Sequence, residues 1–287
     1  MNIKIKALPK GAELELIENW LGCMRNPYTK VRFKRILSEF YGHVGKSVKD
    51  MNLLDAQSYV NTLSQLNINT RRQKITAVRS FVKFAHQTEY IERDFSKPIT
   101  PGYPGYRIIE RLLTFDEVQR LVRGCKHKRD QIIIQLLYVT GMRNSGVRGL
   151  RNRDCFPAEC SGFLRVIEKG YARWVDLRPH PELWQDLMDQ RESTEPDRYV
   201  FQSFQSNGPL DPASLHRAIN RAAKKAGLGK PVSAHWLRHS HCDHALRNGA
   251  PAMVVQRTVG HKRLQTLGEY LHSNPPESSC AYIRVPS

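Results

Sequence analysis

Between Lys97 and Arg107 the chain carries Pro98, Pro101, Gly102, Pro104 and Gly105. No helix runs through such a stretch, because each proline lacks an amide donor and crowds the preceding turn. Each glycine adds backbone freedom that a regular element would have to give up. A central strand tolerates that density no better. The chain must break here, and each side must find its own core; 287 residues leave enough length on both sides to do so. The expected division is a first domain over 1–98, a linker over 99–112, a second domain over 113–272 and a tail over 273–287.

Ahead of the break the periodicity is helical throughout. Residues 12–24 repeat apolar positions at helical spacing, and Pro27 suits the first turn of a second helix reaching Tyr41, with Val31, Phe33, Ile36, Leu37 and Phe40 inward. A third helix is predicted over 54–66 and a fourth over 70–88. In the fourth, Ile75, Val78, Val82 and Ala85 form the apolar stripe, while Arg72, Arg79 and Lys83 share another face. That basic face reads equally as a solvated surface or as a face turned to phosphates.

Beyond the break, Thr114-Phe-Asp-Glu117 is a capping-box start for a helix to Val122, and 129–140 is an apolar helix that Gly141 can close with a left-handed residue. Gly162–Glu168 and Ala172–Leu177 read as two short strands joined through Lys169-Gly170-Tyr171. Asp211-Pro212 opens a helix to Ala226, His235–Asn248 forms another, and Pro251 starts one that ends near Gly260. Thr266–Leu271 is a last short helix. The fold class is mainly α with a small β-sheet.

Charge narrows the partners. The chain holds 45 Lys and Arg against 27 Asp and Glu, a net +18. The excess is shared: 17 basic against 9 acidic residues over 1–98, and 28 against 18 over 99–287. Two basic domains suit a clamp that meets a polyanion from two sides, with double-stranded DNA the leading candidate. No long apolar run or lipidation signal supports a membrane. The six cysteines are scattered without a Cys-x-x-Cys pair, and residues 1–10 are basic but lack the apolar core of a signal peptide. Both features suit a reduced cytoplasmic protein.

Chemistry-bearing residues concentrate between Ser233 and His272. His235, Arg238 and His239 fall on one short segment, with His235 and Arg238 on one helical face. His261 follows Gly260, and Tyr270 lies nine residues later. Arginine grips phosphate oxygens in a planar fork, histidine moves protons near neutrality, and tyrosine offers a nucleophilic oxygen. Together these are the groups needed to attack a phosphodiester without a metal. Histidines at 235 and 239 also have the spacing of a metal pair, but Arg238 between them would repel the ion.

The order His-Trp-Leu-Arg-His, Val-Gly-His and downstream Tyr resembles the tyrosine recombinases, the phage-integrase family that includes the Xer enzymes; Val259 stands where Leu is usual. Upstream, Thr140-Gly-Met-Arg143-Asn-Ser145-Gly146 resembles the family's Thr-Gly-x-Arg-x-Ser-Glu, with Gly146 in place of the acidic residue. A carboxylate from elsewhere in the chain could substitute for it. Lys169 lies where the family places its β-hairpin lysine.

The resemblance implies a helical core-binding domain followed by a catalytic domain. It assigns Arg143, Lys169, His235, Arg238, His261 and Tyr270 as the catalytic set, with Tyr270 the nucleophile that forms a 3′-phosphotyrosine and needs neither metal, cofactor nor ATP. It further implies a homo-tetramer on two duplexes, in which residues 273–287 dock on a neighbouring protomer, and action in the cytoplasm on the nucleoid. The first core-binding helix begins close to residue 12, which is expected to leave no separate arm-DNA-binding domain ahead of it. Two other activities share the pattern: a DNA-binding protein of the same fold that has lost catalysis, for which Gly146 is the hint, and a type IB topoisomerase.

Overall fold

The structure is a computed structural model that describes residues 8–101, 111–168, 170–203 and 206–260. The chain divides into two compact units, Met1–Gly105 and Tyr106–Ser287. Lys169, His261 and Tyr270, the predicted helix over 266–271 and the tail over 273–287 lie outside the described residues.

The first unit contains α1 (Ala12–Gly22), α2 (Pro27–Val44), α3 (Leu53–Thr62) and α4 (Ile68–Gln87). Each boundary has a local cause. The Asn26 side chain accepts from the Tyr28 amide at 2.9 Å with Pro27 in the first turn, and Gly45 closes α2 at φ 69°. Asn52 and Asp55 form a full capping box for α3. That helix ends four residues before the predicted Leu66, because Leu63 and Ser64 bond three residues back and the Thr62 hydroxyl bonds the Tyr59 carbonyl at 2.7 Å. Leu63 is nevertheless buried, which explains the longer apolar pattern.

The predicted inward faces pack as the periodicity demands, with Ile75, Val78, Val82 and Ala85 buried. Val31 is the exception and stands in solvent at the exposed start of α2. Trp20 stacks on Phe33 and meets Phe81 edge-on at 5.4 Å between centroids. One carboxylate enters this core: Glu13 accepts from the Tyr41 hydroxyl at 2.8 Å and the Val48 amide at 2.5 Å. On α4, Arg72 and Arg79 are half-buried and Lys83 is exposed.

The second unit is built around α6 (Lys128–Thr140), which follows α5 (Phe115–Arg123). Ile132, Ile133, Ile134, Leu136 and Leu137 are all essentially inaccessible, so α6 is apolar on most of its circumference and lies inside the unit. After it come α7 (Asn144–Gly149) and the strands β1 (Cys155–Ala158), β2 (Ser161–Glu168) and β3 (Tyr171–Asp176), which form an antiparallel sheet in the order β1-β2-β3. Then follow α8 (Pro181–Asp189), a second small sheet of β4 (Gln202–Ser203) and β5 (Ser206–Pro209), α9 (Pro212–Lys225), α10 (Ala234–Arg247) and α11 (Ala252–Val259). Mainly helical structure with small antiparallel sheets is the predicted class.

Along β2, Leu164, Val166 and Glu168 turn inward while Ile167 is exposed. Val166 is opposite Arg173 on β3, which therefore faces the same side. At the far end of the sheet the buried Asp154 receives both Nε (2.9 Å) and Nη2 (2.8 Å) of Arg165. The Ser240 hydroxyl on α10 accepts the Leu113 amide at 2.8 Å, tying the beginning of the second unit to the helix that carries His235 and Arg238.

Candidate active site

The site begins where α6 stops. Gly141 takes φ 58°, the left-handed cap expected of it, and a side chain there would also strike Val259 Cγ1 at 2.6 Å and His241 Cδ2 at 2.7 Å. Met142 drops into the core, and Arg143 becomes the N-cap residue of α7. The tight reversal thus turns Arg143 out of the interior while fixing its backbone.

Across from it, α10 presents His235, Arg238 and His239 from its first two turns. Arg238 is 2% exposed, and its Nη1 donates to the Gly141 carbonyl at 2.6 Å. Arg238 is therefore the strut under the same turn that aims Arg143. His235 is exposed and meets the His239 ring edge-on at 4.4 Å between centroids. A cleft of about 410 Å³ holds Arg143, Ser145, Arg148, His216, Ser233 and His235 on its walls. Arg143, His235 and Arg238 are thus brought together by the fold; Lys169, His261 and Tyr270 lie outside the described residues.

Two residues that the sequence reading did not single out complete the cluster. Glu168, at the inward end of β2, accepts from the Arg143 backbone amide at 2.6 Å and from its Nη1 at 2.5 Å. Arg173 on β3 reaches within 3.7 Å of the same carboxylate. All three guanidinium nitrogens of Arg173, and Nη2 of Arg238, are buried without a hydrogen-bond partner among the described residues. The sequence signal for both was available: a charged residue at an inward position of an otherwise apolar strand face needs a reason to be there.

The electrostatics follow from this crowding. Three guanidinium groups surround one carboxylate. Burial, then repulsion from Arg143, brings Arg238 down to about 10; burial chiefly, with the same repulsion, lowers Arg173 against the pull of Glu168. Both remain charged at neutral pH. A buried site with surplus positive charge and unsatisfied donors is poised for an anion with several oxygens.

The other histidines of α10 have supporting places. His241 donates through Nδ1 to the Tyr138 carbonyl at 2.8 Å, and burial with nearby Arg238 pushes it down to about 4, so it is neutral. His244 Nδ1 meets the Tyr138 hydroxyl at 2.7 Å. Among the described residues no three His, Cys, Asp or Glu side chains converge as metal ligands would. Among the same residues no helix is long and apolar enough to cross a membrane.

Over residues 111–277 the sequence matches the phage integrase family. It is 28% identical over 271 residues to a tyrosine recombinase of Thermosipho africanus, covering 90% of this chain and 94% of that one. It is 28% identical over 264 residues to tyrosine recombinase XerC of Pseudomonas savastanoi pv. phaseolicola, covering 86% of each. In fold it is similar to lambda integrase. The lambda integrase(75–356) dimer bound to a COC′ core site gives a TM-score of 0.74 at 16% identity, over 90% of this chain and 93% of that one. The lambda integrase tetramer bound to a Holliday junction gives 0.70 at 14% identity, over 87% and 77%.

Proposed function

The chain belongs to the phage integrase family, and from that premise we propose that it is a site-specific recombinase that cuts and rejoins double-stranded DNA through a 3′-phosphotyrosine. The observation that carries the reading is the cluster just described: Arg143 and Arg238 converge beside His235, with donors left over for a phosphate.

The chemistry assigns one task to each group. The Tyr270 oxygen attacks the scissile phosphorus, and its proton passes to His235. An unperturbed phenol, with a pKa of about 10, does not ionise by itself at neutral pH and needs that acceptor. Arg143, Arg238 and His261 hold the non-bridging oxygens as negative charge grows on the pentavalent phosphorus, each such preorganised donor being worth roughly 10²–10³ in rate. The bond from phosphorus to the 5′-oxygen breaks as Lys169 delivers a proton to that oxygen, worth roughly 10²–10⁴. The products are a phosphotyrosine and a free 5′-hydroxyl. Because one phosphate ester replaces another, a 5′-hydroxyl from a second strand reverses the step without ATP.

The division into a core-binding domain over 1–98, a linker over 99–112 and a catalytic domain over 113–272 belongs to the same reading. So do the assembly of four protomers on DNA, with residues 273–287 docking on a neighbour, and a location on the nucleoid in the cytoplasm. The basic face of Arg72, Arg79 and Lys83 supplies phosphate contacts from the first domain. The test is a selection of duplexes from a random pool on the protein, followed by incubation of a nicked selected duplex in chelator. A covalent protein–DNA adduct resistant to detergent is expected; tight binding with no adduct would leave only a DNA-binding protein.

A further inference from the structure

The family's arginine motif ends in an acidic residue, and this chain has Gly146 there. The space beside Gly146 is filled. A Cβ built on it would lie 2.6 Å from Glu168 Oε1 and 2.9 Å from Val166 Cγ1, both closer than carbon tolerates. A glutamate side chain therefore does not fit at 146 while Glu168 is present. The carboxylate that stands in that space arrives from β2 instead.

What Glu168 does there is specific. It is 4% exposed by side chain, a costly place for a carboxylate unless its oxygens are used. Oε1 takes the Arg143 amide and Oε2 takes the Arg143 guanidinium, so one side chain fixes both the backbone and the head of the phosphate-binding arginine. Arg173 stands on the Oε1 side at 3.7 Å. Without the carboxylate, the repulsion of Arg143 on both Arg173 and Arg238 would lose the counter-charge that Glu168 supplies.

We propose that Glu168 is the positioning residue for Arg143, having exchanged places with the acidic residue of the arginine motif, and that Gly146 is the space this exchange requires. The inference rests on the recombinase reading above. It also makes the carboxylate a chain neighbour of Lys169, so the strand that leads to the hairpin lysine is anchored on the phosphate-binding arginine. Glu168 touches no substrate; it acts through Arg143.

Single-turnover cleavage of the nicked selected duplex, DNA affinity and thermal unfolding are measured together at a temperature well below the melt. Glu168→Gln keeps the shape but turns an amide NH₂ toward a donor of Arg143, and is expected to slow cleavage about 10²-fold with affinity changed less than about threefold. In an Arg143→Ala background the same change is expected to have almost no further effect, whereas a purely structural residue would add its full effect. Gly146→Glu alone is expected to be impaired by the clash. Gly146→Glu/Glu168→Gly, which moves the carboxylate back to the motif position, is expected to cleave at least tenfold faster than Glu168→Gly. Undiminished cleavage by Glu168→Gln, full additivity with Arg143→Ala, or a relocated variant no faster than Glu168→Gly would each overturn the inference. A wild-type chain that binds the duplex but forms no adduct would take down the recombinase reading with it, so the two failures are told apart.

Discussion

Arg238→Met separates stability from catalysis in a way the geometry makes quantitative. The methionine fills a similar volume but removes a charge that is 2% exposed. Burial and Arg143 push that arginine well below the ordinary guanidinium range, to about 10, and at about 1.4 kcal/mol per pH unit this represents about 3 kcal/mol of strain in keeping the charge there. Against that relief, the Gly141 carbonyl loses a charge-assisted hydrogen bond of 2.6 Å, worth about 1.5–3 kcal/mol. The two terms nearly cancel, so the melting temperature is expected to move by only a few degrees in either direction. In the proposed mechanism cleavage has no such compensation, because a phosphate oxygen loses its donor and the turn that aims Arg143 loses its strut. A fall of 10³-fold or more is expected in single-turnover adduct formation. Arg238→Lys should rescue little, since one ammonium cannot serve the carbonyl and the phosphate in the fork geometry. The reasoning is refuted if Arg238→Met cleaves within tenfold of wild type, or if it melts so early that lost folding accounts for the lost activity.

Other consequences are as direct. His241 is neutral when folded, at about 4, and takes a proton more readily when unfolded, where its ordinary value is 6.5; its contribution is present above pH 6.5 and is lost as pH falls toward 4, up to about 3 kcal/mol in all. Unfolding followed by circular dichroism at stepped pH should show this fall, and His241→Asn should flatten that part of the slope; an unchanged slope would contradict the assignment. Glu13→Ala strips partners from the buried Tyr41 hydroxyl and Val48 amide. It should destabilise the first unit by about 2–4 kcal/mol in urea titration, and a change below about 0.5 kcal/mol would mean those groups find water instead. Neutralising Arg72, Arg79 and Lys83 together should lower the slope of log affinity against log salt by up to about 2.7, at about 0.9 for each phosphate contact. An unaltered slope would make that face a solvated one.

What was legible in the sequence was whatever leaves a local signature. The capping box at Thr114, the left-handed Gly141 and the proline starts at Pro27 and Pro212 each set a boundary through bonds made within a few residues. The two short strands that form β2 and β3 were equally plain. By contrast, α7 is six residues with two glycines, and β1 holds Pro157, which argues against a strand until it is seen at the edge of the sheet where the missing amide faces no partner. α8 is not among the expected elements, although Leu183, Trp184 and Leu187 are buried at helical spacing. In the site, Arg143, His235 and Arg238 were readable because their spacing along the chain resembles the recombinase pattern. Glu168 and Arg173 show in the sequence only as charges on an otherwise apolar strand face; their roles depend on a cross-strand register and, for Glu168, on a glycine more than twenty residues earlier.

The most direct test of the account is the identity of the atom that holds the DNA. Adduct formed on the nicked selected duplex, trimmed with nuclease and protease and analysed by mass spectrometry, should yield the peptide containing Tyr270 carrying a nucleotide through its phenolic oxygen, and Tyr270→Phe should yield no adduct while still binding. A nucleotide found on any other side chain, or an adduct that persists in Tyr270→Phe, would contradict it.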